Sequence, residues 1–187
     1  LPAPINWQKP HRMKPHIILS HGLNSSPAAT KVSALAAVAE QLGFSHERPD
    51  YSDIDAAGQV PDVDLRAIDR RIDRLHERAR NAHRPLLLVG SSMGAFISGF
   101  VSLQVPVQGL FLMAPPIRIE GYARAFDAAP VPTLVVHGWH DELIPADEVV
   151  TWAHARAAEL RLVDDGHRLD AHVDYVAQAF AQFLRAL

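Results

Sequence analysis

Leu86-Leu87-Leu88-Val89-Gly90-Ser91-Ser92-Met93-Gly94-Ala95-Phe96 is a short apolar run, a Gly-x-Ser-x-Gly break and the start of a second apolar stretch. The first run reads as a buried strand and the second as a helix, so the pentapeptide is a sharp elbow with Ser92 at its apex. At a turn this tight, positions 90 and 94 must lack side chains where strand and helix pass each other. The hydroxyl of Ser92 is then presented above the sheet edge. The amides of Met93 and Gly94 open a helix, which puts unpaired donors and the positive end of a helix dipole beside that oxygen. One turn thus offers a nucleophile and half of an anion trap. The same letters also fit a plain glycine-rich turn, so the rest of the chain has to decide.

Working outward, His16-Ile17-Ile18-Leu19-Ser20 reads as a buried strand that runs out into His21-Gly22-Leu23-Asn24-Ser25-Ser26-Pro27. Ser25 or Ser26 is placed to cap the next helix, with Pro27 in its first turn. Val32, Leu35, Ala36, Ala39 and Leu42 form one apolar face there, and Gly43 ends it. Phe44 to Arg48 is a weak strand, followed by Pro49-Asp50-Tyr51-Ser52-Asp53 as a loop. From Asp62 to His83, Leu65, Ile68, Ile72 and Leu75 repeat at helical spacing, with the arginines read as a solvated surface and an Asp62–Arg66 pair on it.

Beyond the elbow, strands are expected at Val107–Met113, Thr133–Val136 and Leu160–Val163, and helices at Ala146–Glu159 and over Val173–Leu187. Residues 1–15, with their prolines, read as an extended lead-in, and 16–187 as a single domain. Six strands alternating with helices describe an α/β fold: a three-layer α/β/α sandwich around a mostly parallel six-stranded sheet. The expected spatial order is 2-1-3-4-5-6, with ligands beyond the carboxyl ends of the strands near the point where winding reverses.

Composition narrows the chemistry. The 187 residues, 48% of them hydrophobic, suffice for a core burying roughly 70% of the unfolded chain's surface. The absence of cysteine excludes disulfides, Cys-ligated metals and a Cys nucleophile. Eighteen basic and 21 acidic residues leave a net charge of −3 with no basic stripe, so nucleic acid is not an expected partner. No stretch is long enough to span a bilayer and Leu1–Pro10 has no signal-peptide core, from which a cytoplasmic location is expected. Oligomeric state has no signature in the chain.

A serine hydroxyl needs a base, and the base needs a partner to hold its tautomer. Asp141 follows the strand ending in His137-Gly138-Trp139-His140, and His167 follows the last strand in Val163-Asp164-Asp165-Gly166-His167. Ser, Asp and His therefore appear in that chain order, each after a strand. With His21-Gly22, Gly90-Ser91-Ser92-Met93-Gly94, His137-Gly138-x-x-Asp141-x-x-x-Pro145 and Gly166-His167, the chain over residues 16–187 resembles the small cap-less bacterial α/β-hydrolases, a family of serine esterases.

The resemblance implies a minimal hydrolase fold without a lid domain, in keeping with the short Ile117–Pro130 segment. It implies Ser92 as nucleophile, His167 as general base and later acid, Asp141 as its orienter, and the backbone N–H groups of Leu23 and Met93 as oxyanion hole. The expected substrate is a small-molecule ester of a small or medium acyl chain, cleaved through an acyl-enzyme without cofactor or metal.

Each assignment has a rival. Asp141 also fits as a turn cap before Pro145, with Asp164 or Asp165 orienting the histidine; His21 fits a structural role better than that of a base. His137, His140 and Asp141 carry metal-ligating groups without a His-Glu-x-x-His helix. Pro115, Pro116, Ile117, Tyr51 and Trp139 are candidates for cleft wall or for packing. At the level of activity, an acyl-CoA thioesterase or acyltransferase would use the same three side chains, and a catalytically silent interaction module would use none.

Overall fold

Apolar runs bounded by polar turns alternate with amphipathic stretches along the whole chain, and the computed structural model, which describes residues 13–57 and 64–187, folds them into strands and helices in turn. They are β1 (His16–Ser20), α1 (Thr30–Gln41), β2 (His46–Glu47), α2 (Ser52–Ala57), α3 (Leu65–Asn81), β3 (Leu86–Ser91), α4 (Met93–Ser102), β4 (Gly109–Met113), β5 (Thr133–Gly138), α5 (Ala146–Arg156), β6 (Glu159–Val163) and α6 (Val173–Ala186). Every pairing in the six-stranded sheet is parallel, and the order is β2-β1-β3-β4-β5-β6, as expected from the sequence.

A strand buried on both faces needs apolar residues at odd and even positions alike, and the inner strands meet this demand. Leu19, Leu87, Val89, Phe111 and Val136 point into one core with α1 and α6. Ile18, Leu88, Leu110, Leu112 and Val135 point the other way, into a core with α3, α4 and α5. The result is three layers, α/β/α. All ten residues of α4 are buried, which makes it the helix most enclosed by its surroundings.

The departures are local. α1 starts at Thr30 behind Ala29, which makes no side-chain cap, instead of at Ser25 or Ser26. Ser26 is already committed to a turn, its hydroxyl accepting the Ala28 N–H and its carbonyl the Ala29 N–H, so the chain turns once before the helix begins. The loop expected at Pro49–Asp53 gives way to a short helix, α2, opened by an Asp50 carboxylate that accepts the Ser52 N–H. α3 is capped by Asp64, whose carboxylate accepts the Arg66 N–H at 3.0 Å. Asp62, its pairing with Arg66 and residues 1–12 of the lead-in lie outside the described residues.

Residues 114–132, between β4 and β5, contain neither helix nor strand. They are drawn down onto α4 by Phe126, which stacks on Phe96 and meets Phe100 and Trp152. No lid domain is inserted there. Among the described residues, no helix is long and apolar enough to cross a membrane.

Candidate active site

In this sheet order the winding reverses between β1 and β3, and a crevice opens beyond their carboxyl ends. Two turns form its floor. The turn after β3 carries Ser92 at φ 53° and ψ −116°, a conformation that costs a non-glycine residue on the order of 1–3 kcal/mol. Its surroundings hold it there. The Ser92 N–H donates to Met113 O at 2.8 Å, and a Cβ at Gly94 would collide with the Ser20 carbonyl, one at Gly90 with the backbone of Gly94. Bare backbone at both positions lets β1, β3 and α4 close on one another.

His167 Nε2 lies 2.9 Å from Ser92 Oγ, and His167 Nδ1 lies 2.8 Å from Asp141 Oδ2. Because a carboxylate only accepts, Nδ1 carries the proton and Nε2 is free to take one from the hydroxyl. The other Asp141 oxygen accepts the N–H groups of Leu143 and Ile144 at 2.9 and 2.8 Å. Asp141 thus faces the turn with one oxygen and the His167 ring with the other. Burial alone would raise this carboxyl's pKa, but the His167 hydrogen bond and the two amides outweigh it and leave the pKa below the usual value.

The imidazole is brought in by backbone approach. A side chain at Gly138, the last residue of β5, would run into the carbonyls of Asp165 and Gly166, and the Glu142 carboxylate accepts the His167 N–H at 3.2 Å. Asp164 and Asp165 take other partners, His140 and His172. His137 is fully buried and donates from Nε2 to Ile144 O, beneath Asp141; desolvation depresses its pKa. Among the described residues no cluster of three or more His, Cys, Asp or Glu is arranged to hold a metal ion.

The turn after β1 is held differently. His21 accepts the Tyr51 N–H on Nε2 at 3.0 Å, which leaves the ring proton on Nδ1, 2.8 Å from Gly22 O. Desolvation lowers its pKa, consistent with that neutral form. Tyr51, wholly buried with its phenol pushed up to about 12, reaches Ser20 Oγ at 2.9 Å.

Arg71 completes the arrangement. Its side chain has no exposed surface. It grips both Asp55 oxygens at 2.9 and 2.8 Å, donates to His21 O and Gly22 O at 3.1 and 2.9 Å, and lies 4.7 Å from the Tyr51 ring centre. The Asp55 carboxylate also accepts the Asn24 N–H at 3.0 Å.

This corrects the reading of the α3 arginines as a solvated surface at one position, Arg71; Arg66, Arg70, Arg78 and Arg80 are exposed. The spacing permits this without requiring it: in Ile68-x-x-Arg71-Ile72-x-x-Leu75, Arg71 stands in the apolar stripe, where so long a side chain can turn inward or run out to water. An arginine there is tolerated because a carboxylate and two carbonyls take its donors. Losing one member of such a pair costs about 3–5 kcal/mol.

Ser92, His167, Leu23 and Met93 line one cleft of about 680 Å³. Pro116 belongs to its wall, together with Ile119, Leu143 and Ile144, which sequence reasoning had not singled out. Tyr51 and Ile117 serve as packing, and Trp139 is half exposed to solvent. The arrangement can move a proton from hydroxyl to imidazole while a carboxylate compensates the charge, which is the chemistry of acyl transfer.

Residues 13–175 match the family model described as alpha/beta hydrolase domain. A solved protein of the alpha/beta superfamily from Xanthomonas campestris pv. campestris is 52% identical, with a TM-score of 0.87 over 93% of this chain and 100% of that one. An alpha-beta serine hydrolase homologue from Coxiella burnetii (21% identity, TM-score 0.69, 94% and 88% covered) and Est1E from Butyrivibrio proteoclasticus (17%, 0.69, 92% and 88%) share the fold. No curated protein matches the sequence.

Proposed function

This chain belongs to the alpha/beta hydrolase family, and from that premise we propose that it is a serine hydrolase cleaving carboxylic esters of small or medium acyl chains through an acyl-enzyme. The observation that carries the reading is the continuous row Ser92 Oγ, His167 Nε2, His167 Nδ1, Asp141 Oδ2, with spacings of 2.9 and 2.8 Å.

His167 removes the Ser92 proton as the oxygen attacks the ester carbonyl. The N–H groups of Met93 and Leu23 receive the negative charge, and imidazolium returns the proton to the departing alcohol. Water then repeats the sequence on the acyl-enzyme. Leu23, Met93, Ile119, Leu143 and Ile144 give the acyl chain apolar surface in a cleft that no lid domain covers among the described residues, which favours modest chain lengths and loose selectivity.

A fluorophosphonate probe is expected to label the protein at Ser92 and to leave Ser92→Ala unlabelled. Turnover of a p-nitrophenyl ester series, compared with the matched acyl-CoA thioesters, sets chain length and leaving group. Labelling that survives in Ser92→Ala would remove the serine from the mechanism, and a preference for the thioesters would reassign the substrate class.

A further inference from the structure

The buried Arg71 guanidinium ends on the carbonyl of Gly22, and that carbonyl belongs to the same peptide unit as the Leu23 N–H. Gly22–Leu23 is a trans peptide, since the one cis bond among the described residues is Arg84–Pro85. A planar trans peptide directs its N–H opposite to its C=O. Whatever fixes the Gly22 oxygen therefore aims the Leu23 donor. Two donors converge on that oxygen, Arg71 Nη2 at 2.9 Å and His21 Nδ1 at 2.8 Å, both from fully buried side chains.

The next peptide is held as well, by Asp55 Oδ2 accepting the Asn24 N–H at 3.0 Å. Gly22 sits against the elbow, where a Cβ on it would lie 3.7 Å from Ser92 Cβ. Leu23 lines the cleft shared with Ser92 and Met93.

We propose that Arg71, locked by Asp55, is a positioning residue for catalysis: it aims and polarises the Gly22–Leu23 peptide so that the Leu23 N–H is a strengthened oxyanion donor. This rests on the serine-hydrolase reading and deepens it. A cation on the carbonyl end of an amide draws electron density from the nitrogen end, and hydrogen bonds in series reinforce one another in a site of low dielectric. The burial of a whole ion pair to hold a surface turn then has a function. Donors fixed before the reaction need no reorganisation as charge develops on the substrate oxygen. His21, neutral by its tautomer, shares the aiming and leaves Arg71 as the charged member.

The test begins with fluorophosphonate labelling of the wild type and of Ser92→Ala. No difference between them overturns the hydrolase reading, and this proposal with it. With that reading intact, the informative protein is the double variant Arg71→Met, Asp55→Leu, which removes both buried charges together and so avoids stranding either; Arg71→Lys, which keeps charge but loses the fork, is its companion.

Expected in both is a kcat lower by about tenfold to a hundredfold, at or below the ~10²–10³-fold cost of deleting an oxyanion donor outright, with KM within about twofold as for an interaction made only in the transition state. Affinity for a trifluoromethyl ketone, which forms the tetrahedral adduct, falls in parallel. The infrared carbonyl band of the acyl-enzyme moves to higher frequency because the carbonyl is less polarised. A folded double variant with unchanged kcat and unchanged carbonyl band overturns the proposal. Should the double variant not fold, an unchanged kcat and band in Arg71→Lys overturns it equally. A purely structural role would lower Tm and the active fraction, as counted by probe titration, without moving the band of the molecules that remain.

Discussion

The turn at residues 90–94 and the turn at 21–24 lie side by side in the floor of one cleft, and they are kept in shape by opposite means. The first is shaped by what its own residues lack: bare Cα positions at Gly90 and Gly94 let backbone touch backbone. The second is shaped from far along the chain: the Tyr51 N–H donates to the His21 ring, and the side chains of Asp55 and Arg71 reach the turn's amide and carbonyls from beneath. A local steric device tolerates almost no change at its own positions. A long-range polar device should tolerate change in its geometry and register it in rate.

The largest effect expected lies on the elbow. Ser92→Ala should lower kcat by about 10⁶, as loss of an activated serine does elsewhere, while thermal melting stays within a few degrees, because Ser92 makes its backbone contacts through the N–H and carbonyl. Asp141→Asn comes next. With the amide oxygen kept in the Leu143–Ile144 turn, an NH₂ faces the imidazole, Nδ1 becomes the acceptor, and the protonated Nε2 can no longer take the serine proton. A fall of about 10⁴ in kcat, measured on a p-nitrophenyl ester, is expected.

Gly94→Ala sharpens the contrast between the two turns. Its methyl meets the Ser20 carbonyl, which cannot move without disturbing the β1–β3 ladder. A loss above about 4 kcal/mol in urea unfolding is expected, against retained folding in the double variant at positions 55 and 71. Similar stabilities for the two would erase the distinction drawn between them.

The smallest effect is in pH. His21 and His137 are fully buried, and desolvation holds both below the ordinary histidine pKa. The unfolded chain then binds protons that the folded one refuses, so stability is lost as pH falls below about 6.5, the unfolded value. Each ring contributes on the order of 1 kcal/mol per pH unit until its own depressed pKa is reached. Urea midpoints measured between pH 7 and pH 5 should fall accordingly, and a flat profile would mean that these rings are not held neutral.

Much of this was legible beforehand. The parallel order of the sheet followed from apolar runs alternating with amphipathic stretches, since chain crossovers leave few arrangements. The helix starts failed where short polar residues had two uses, as at Ser26, whose hydroxyl closed a turn instead of capping α1. The cleft wall at Ile119 and Leu143 was not legible either, because residues 114–132 carry no period to place them.

By itself the sequence determined the layered fold, the elbow and the three side chains that meet in a row, because each is specified within a few neighbouring residues or by chain order. Only the tertiary structure decided that Arg71 is buried, that Asp55 is its partner, and that both end on the turn after β1. An arginine's donors can be satisfied by water or by protein, and the sequence around it is compatible with either. Which one prevails depends on whether a carboxylate and two carbonyls arrive together from other parts of the chain, and that is fixed only when the sheet and its helices close around them.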